Sequence, residues 1–488
     1  MFTLAQVGIQ SVVLFLTYRL AASTLGLSVL GLWSVASAAA TFGRIGDLGF
    51  GGAVPRLLAE RLGRGEGHSI SAMVETAVLA STLGTLLLTV IFFVPLLLFT
   101  QSLADGSQQS LALQLVVGAN IALVLTGLSV TFLACLEGMG CFGARASIVI
   151  GGTLLNLLVL WVSVDQFGAL SLPAGLVVQG LTTTIAAWLM LRSQLPGLSV
   201  LPKQWSRSEF RALFAIGKFT QANSLLIMAF EPMSRVLAGH FGGAGFAALF
   251  DFAAKVTGNV RLLFSSFTQS LVPFFAYSCD RRQATAALFS IATLLIAVIA
   301  SAVTALTLGA SPWISIFIFG RVDEAFLAIF WVLLIGNLIN VMGGPAFAHA
   351  LGAGRVAISM QTLALQAAIF LLLSALLSLA IDGQAVSLAY ATAVAVAGCY
   401  SLHSGLHLLA REEKLIRHLT AALGPTLTVI AVLIVGVFLL PPGFQPFVVL
   451  LSALTLLADL CIRYHRRMRS WAAKMKHFRI SPRLVPAA

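Results

Sequence analysis

The chain has 488 residues, 59% of them hydrophobic and only 9% charged, with a formal net charge of +12 and a mean hydropathy of +0.99. Soluble domains are about 45–50% apolar and about 25% charged, so these values exclude a cytosolic enzyme, a secreted disulfide scaffold and a nucleic-acid-binding domain. They leave a polytopic membrane protein, in which a basic excess reports orientation rather than a nucleic-acid partner.

Taken in chain order, apolar runs broken by polar clusters predict about fourteen transmembrane helices. They lie over 4–24, 28–54, 72–99, 112–135, 146–164, 170–192, 213–238, 245–275, 284–308, 324–346, 357–380, 384–409, 419–440 and 445–463. A bilayer needs about 20 residues per helix, and the longer runs imply tilt or kinks. With the N-terminus placed in the cytoplasm, 22 of the 29 Lys and Arg fall in inside loops and the C-terminal tail, one (Arg321) falls outside, and six fall within spans. This alternation predicts an all-α protein with both termini cytoplasmic. No loop is long enough to hold a soluble domain, so function resides in the bilayer region.

The expected organisation is an N-terminal lobe of six helices over 1–210 and a C-terminal lobe of six over 211–410. Two further helices over 411–463 and a basic cytoplasmic tail over 464–488 complete it. No basic segment precedes the first span, and the downstream alternation favours an uncleaved first helix despite the small residues Ala21-Ala22-Ser23. Cys135, Cys141, Cys279 and Cys461 fall at cytoplasmic ends or loops and Cys399 within a span, so reduced thiols are expected.

The first two spans resemble the seventh and eighth. Arg19-Leu-Ala-Ala-Ser-Thr-Leu-Gly26 aligns with Arg235-Val-Leu-Ala-Gly-His-Phe-Gly242, and Pro55 and Pro273 close the second and eighth spans at similar distances. Six spans separate the copies, which gives both the same orientation. Two pseudo-symmetric lobes follow, with a site between them near the midplane, as in alternating-access transporters.

Charges inside spans are costly and mark functional sites by default. The six cations are Arg19, Arg44, Lys218, Arg235, Lys255 and Arg261; the anions are Asp47, Glu231 and Asp251, for an interior balance of +3. Arg44, Lys255 and Arg261 lie deepest in their spans. Arg44–Asp47, Glu231–Arg235 and Asp251–Lys255 stand at i, i+3 or i, i+4, which suits local ion pairs. The residual positive charge needs water or an anion to compensate it, and guanidinium groups bind phosphate oxygens bidentately. An anionic substrate is expected. Gln221, Asn223, Asn259 and Gln269 suit either sugar hydroxyls or interhelical hydrogen bonds.

Gly46-Asp47-Leu48-Gly49-Phe50-Gly51-Gly52 lies in a span with no strand before it, which favours close helix approach or local unwinding over a dinucleotide loop. There is no Walker sequence. His403 and His407 lack a third ligand, and no metal or other cofactor is expected. The tail from Arg463 carries eight Lys and Arg with no acid, a pattern attracted to anionic lipid headgroups.

Leu30-Gly-Leu-Trp-Ser34, Gly46-Asp-Leu-Gly49 and Ala53-Val-Pro-Arg-Leu-Leu-Ala-Glu60 resemble the opening hairpin of polysaccharide-export flippases. These are the Wzx-type O-antigen and exopolysaccharide translocases of the multidrug/oligosaccharidyl-lipid/polysaccharide superfamily. Glu231 before Arg235, with Gly242, Phe250 and Val272-Pro273, also resembles that family. The resemblance implies a polyprenyl-pyrophosphate-linked oligosaccharide moved across a bacterial inner membrane by alternating access, with polysaccharide polymerase machinery as a partner. A monomer is the expected transport unit, because the cavity would form within one chain. Arg44, Lys255 and Arg261 would contact phosphate, helped by Arg19 and Lys218. Asp47, Glu231 and Asp251 would tune the cations or couple to ions. A multidrug or cation antiporter, which would want an acidic cavity, and a lipid II flippase remain open alternatives. A membrane polymerase or ligase would need an outer catalytic loop, whereas His240 and Arg321 alone represent such groups outside.

Overall fold

A computed structural model describes residues 2–409 apart from 66, 196, 200–201 and 279–281. The expected helices over 419–440 and 445–463, the tail over 464–488, Cys279 and Cys461 lie outside the described residues. The helices run in the order α1 (Phe2–Leu25), α2 (Leu27–Ala40), α3 (Phe50–Arg64), α4 (Gly67–Leu103), α5 (Gln109–Gly138), α6 (Phe142–Phe167), α7 (Ser171–Gln194) and α8 (Arg207–Met228). They continue with α9 (Glu231–Ser270), α10 (Val272–Ser278), α11 (Arg282–Phe319), α12 (Glu324–Met342), α13 (Gly344–Gly352), α14 (Val356–Leu377) and α15 (Gln384–Leu409). Every regular element among the described residues is helical.

Among the described residues, ten helical runs are long and apolar enough to cross a membrane. Large side chains on their outer faces, including Leu83, Leu87, Val90 and Ile91 on α4 and Trp161 and Val162 on α6, are exposed. So much exposed apolar surface suits lipid rather than water. The protein is a multi-pass membrane protein.

Two of the ten runs fold back on themselves. Residues 231 and 261 would stand about 45 Å apart along a straight helix, yet Arg261 Nη2 and Glu231 Oε1 are 2.7 Å apart. The chain reverses at Gly243, whose φ of 76° and ψ of 176° are non-helical. The arms 231–242 and 244–270 are therefore antiparallel, with the reversal between the expected spans 213–238 and 245–275; those spans are themselves interrupted, at Ala229–Phe230 and at Leu271, as the expected span 324–346 is at Gly343. The run from Phe142 to Gln194 likewise turns at Gly168 (φ 54°). A Cβ on Gly152 would overlap Thr183 and one on Gly175 would overlap Asn156, which fixes α6 and α7 as a close hairpin.

The reversal at Gly243 has a counterpart at Gly26 (φ 81°, ψ 165°) between α1 and α2. Left-handed φ values of this kind are cheap only for glycine. The repeat seen in the sequence thus has a backbone counterpart, one residue later than the Gly26–Gly242 alignment. Pro55 does not close its helix, because α3 runs through it to Arg64.

The expected span 28–54 is not one helix. After α2 the chain tightens into a 3-10 helix over Thr41–Asp47, and Leu48 (φ 56°) and Gly49 (φ 74°) are left-handed before α3 begins. Glycines seat this break. A Cβ on Gly46 would overlap the backbone of Gly84 on α4, and one on Gly49 would overlap the Gly217 carbonyl on α8. Gln221 Nε2 on α8 donates to the Ile45 carbonyl at 2.9 Å, adding an interhelical bond to a carbonyl that also accepts the Leu48 N–H at 3.4 Å. Leu48 is the one non-glycine with positive φ among the described residues, and that conformation costs roughly 1–3 kcal/mol.

α2 is buried on all sides from Leu30 to Val35, as expected of a helix apolar all round. It packs along α9, which also contacts α12 and α15. A Cβ on Gly31 would overlap the Ala244 carbonyl oxygen, so the two backbones touch there. Phe250, Phe252, Phe326 and Phe330 fill the core beside this seam.

Candidate functional site

The folding of α9 brings charged residues together. Its two arms form a ladder in which Arg235 lies opposite Asp251 and Glu231 opposite Arg261. Asp251 is fully buried. Its Oδ2 accepts hydrogen bonds from Tyr18 Oη, from Ser34 Oγ at 2.7 Å and from Lys255 Nζ at 2.8 Å. Lys255 Nζ also donates to Tyr18 Oη at 2.8 Å. Arg235 Nε approaches Asp251 Oδ1 to 2.8 Å as an ion pair without hydrogen-bond alignment. One carboxylate therefore ties α1, α2 and both arms of α9 together. A buried charge persists only when paired and hydrogen-bonded in this way.

Beside this knot lies a cavity of about 380 Å³ between α1, α9 and α15. Glu231, Arg235, Lys255, Asn259 and Arg261 line it, with Gln10 from α1 and Tyr390 from α15. Three cations face two carboxylates, Glu231 and Asp251, so the group keeps a charge of +1. Arg261 and Lys255 are 22% and 33% exposed in their side chains, which leaves N–H groups free to bind a solute. The arrangement can hold an oxyanion from more than one direction.

The remaining sequence candidates lie elsewhere. Arg19 is exposed, lines a groove with Trp161 of α6, and places its guanidinium over the Phe317 ring at 4.4 Å. Arg44 is exposed on the 3-10 segment and forms no ion pair among the described residues. Asp47 turns instead to the start of α3, where its Oδ2 accepts the Gly51 N–H at 3.1 Å. A carboxylate at a helix N-terminus satisfies an open donor and meets the positive end of the dipole. Lys218 is exposed on α8. Of the local pairs expected from spacing, Asp251–Lys255 forms, while Glu231 and Arg235 exchange partners across the turn.

Sequence reasoning missed Tyr18, Ser34, Tyr390 and Glu75. The first two are isolated hydroxyl-bearing residues in apolar spans and signal nothing until Asp251 is placed beside them. Glu75, buried on α4, accepts the backbone N–H groups of Ser199 at 2.9 Å, Lys203 at 2.7 Å and Gln204 at 2.8 Å. It pins the α7–α8 connection to α4. Arg61 and Glu209, 2.6 Å apart, join α3 to α8.

Apolar helices around a cationic cavity define a multi-pass membrane protein with a charged interior. Residues 1–278 match the profile of the polysaccharide biosynthesis protein family, and the chain belongs to that family. The fold is similar to that of the lipid II flippase MurJ in an inward closed conformation (TM-score 0.73, 12% identity, covering 96% of this chain and 99% of that one). It is also similar to a multidrug resistance MATE family transporter in an inward-facing conformation (TM-score 0.64, 17% identity, 83% and 98%). A further likeness is to a superfamily transporter from Pyrococcus furiosus (TM-score 0.53, 16% identity, 83% and 95%). At these identities the likeness is one of fold. No curated protein matches the chain.

Proposed function

We propose that the protein moves a polyprenyl-pyrophosphate-linked oligosaccharide across the membrane by alternating access, from the cytoplasmic to the outer leaflet. The observation that carries this reading is the cavity lined by Arg235, Lys255 and Arg261, whose cations outnumber its carboxylates. A pyrophosphate supplies the missing negative charge, and guanidinium forks match its oxygens. Membership of a polysaccharide biosynthesis family agrees with a sugar-bearing cargo. The polyprenyl tail stays in lipid while the head occupies the cavity.

In this reading the chain crosses the membrane fourteen times with both termini in the cytoplasm of a bacterial inner membrane. Halves 1–210 and 211–410 rock against each other. The contacts between them include α2 against α9 at Gly31 and Ala244, Tyr18 and Ser34 on Asp251, Gly49 against Gly217 of α8, and Arg61–Glu209 between α3 and α8. The tail over 464–488 holds anionic lipid, and polysaccharide polymerase machinery receives the product from this monomeric unit.

The test is reconstitution into proteoliposomes with a fluorescent polyprenyl-pyrophosphate oligosaccharide, scoring accessibility to an external reagent. Translocation by the wild-type protein is expected. Inertness there, with export of an organic cation against an ion gradient, would replace this reading with an antiporter.

A further inference from the structure

Behind the Glu231–Arg261 pair lies a second cavity of about 260 Å³. It shares Glu231, Arg261 and Leu262 with the central one, and its far wall comes from α12, α14 and α15. Its chemistry is different. Apart from the shared pair it carries no charge, and its polar groups are amides and hydroxyls.

Three of those groups lack a full set of partners. Gln366 on α14 is 6% exposed and lines the cavity, yet its amide makes no hydrogen bond among the described residues. Asn340 on α12 donates through Nδ2 to the Val394 carbonyl at 2.9 Å, which leaves Oδ1 open. The Ser265 hydroxyl on α9 has no partner among the described residues. These groups open onto the cavity, where a bound ligand or water can pair with them. Gln366 and Ser265 supply donors, and Gln366, Asn340 and Ser265 supply acceptors. Leu262, Phe264 and Phe347 add apolar wall between them.

A mixture of donors and acceptors on apolar walls suits an uncharged polyhydroxylated ligand, whose hydroxyls both give and receive while its C–H faces pack. A cation is a poor fit, because Arg261 already stands 2.7 Å from the Glu231 carboxylate at the mouth. We propose that this second cavity is the sugar subsite. It takes the sugar units next to the pyrophosphate while Arg235, Lys255 and Arg261 hold the pyrophosphate itself. The assignment rests on the central cavity being the pyrophosphate site.

The test measures binding to the full-length protein in nanodiscs. The probes are bare polyprenyl pyrophosphate and the same lipid carrying one N-acetylhexosamine or one hexose. Wild type should bind at least one sugar-bearing lipid more tightly than the bare one. Gln366→Leu should lose that gain, roughly tenfold on the scale of one to two hydrogen bonds, with binding of the bare lipid unchanged. Ser265→Ala, which removes only a hydroxyl, should show the same selective loss and serves if Gln366→Leu fails to fold. Equal binding of bare and sugar-bearing lipids by wild type, or variants that keep the gain, would overturn the subsite. Lys255→Ala separates the two ideas. It should weaken both kinds of lipid together, and if it leaves the bare lipid unaffected the central site falls and the subsite with it.

Discussion

Arg261 and Glu231 stand 30 positions apart in the chain and meet at 2.7 Å because α9 reverses at Gly243. The pair lies on the shared wall of the two cavities. Glu231 therefore competes with any anion for the guanidinium.

Removing that competitor has a definite direction. Glu231→Gln should tighten binding of bare polyprenyl pyrophosphate by up to about fivefold, since a partly exposed ion pair is worth about 0.2–1 kcal/mol. Isothermal titration in nanodiscs measures it. Weaker binding by the variant would mean that Glu231 orients Arg261 rather than competing for it.

Asp251 is the buried centre of the knot. Asp251→Ala leaves Lys255 and Arg235 without a counter-charge and Tyr18 and Ser34 without an acceptor. Breaking a buried pair in this way costs about 3–5 kcal/mol. Thermal unfolding in detergent, followed by tryptophan fluorescence, should shift clearly downward, and Asp251→Asn should fall less because it keeps the hydroxyl bonds. An unchanged melting temperature would contradict the knot.

Glu75 tethers the α7–α8 connection through three backbone N–H groups. Glutamine presents one acceptor oxygen and two donors, so Glu75→Gln should leave at least one N–H unsatisfied, at about 1–3 kcal/mol. Hydrogen exchange at Ser199, Lys203 and Gln204 should accelerate while exchange in α12 stays as it was. Unchanged protection at those three amides would refute the tether.

Gly31 and Gly151 make a matched pair. A Cβ at Gly31 would overlap the Ala244 carbonyl, whereas one at Gly151 meets nothing within 4 Å. Gly31→Ala should sharply reduce the yield of folded protein on size-exclusion chromatography. Gly151→Ala should be neutral or stabilising by about 0.5–1 kcal/mol, the helical preference of alanine. Equal yields would show that α2 and α9 can separate at no cost.

Hydropathy made the helices legible from Phe2 to Leu409, because lipid demands long apolar runs and hydrogen-bonded helices. It did not show where a run breaks. The interruption over 41–49 depends on Gly46 meeting Gly84 and on Gln221 reaching Ile45, contacts between distant helices. Lys255 and Arg261 were legible as deep cations, and Asp251–Lys255 as a local pair. The exchange of partners by Glu231 and Arg235 was hidden, because i, i+4 spacing suits a local pair equally well and only the packing of the two arms brings Arg261 and Asp251 nearer. Gln366 gave no signal, since a glutamine in a span becomes informative only when its neighbours fail to bond it.

The most direct test of the cationic cavity compares wild type with Arg261→Ala, Lys255→Ala and Arg19→Ala in the proteoliposome translocation assay. The first two should lose at least about tenfold in rate, the scale of one charge-assisted hydrogen bond of about 1.5–3 kcal/mol, while remaining folded. Arg19→Ala, whose guanidinium sits over Phe317 away from the cavity, should stay near wild type. Translocation that survives loss of both Arg261 and Lys255 would contradict the account.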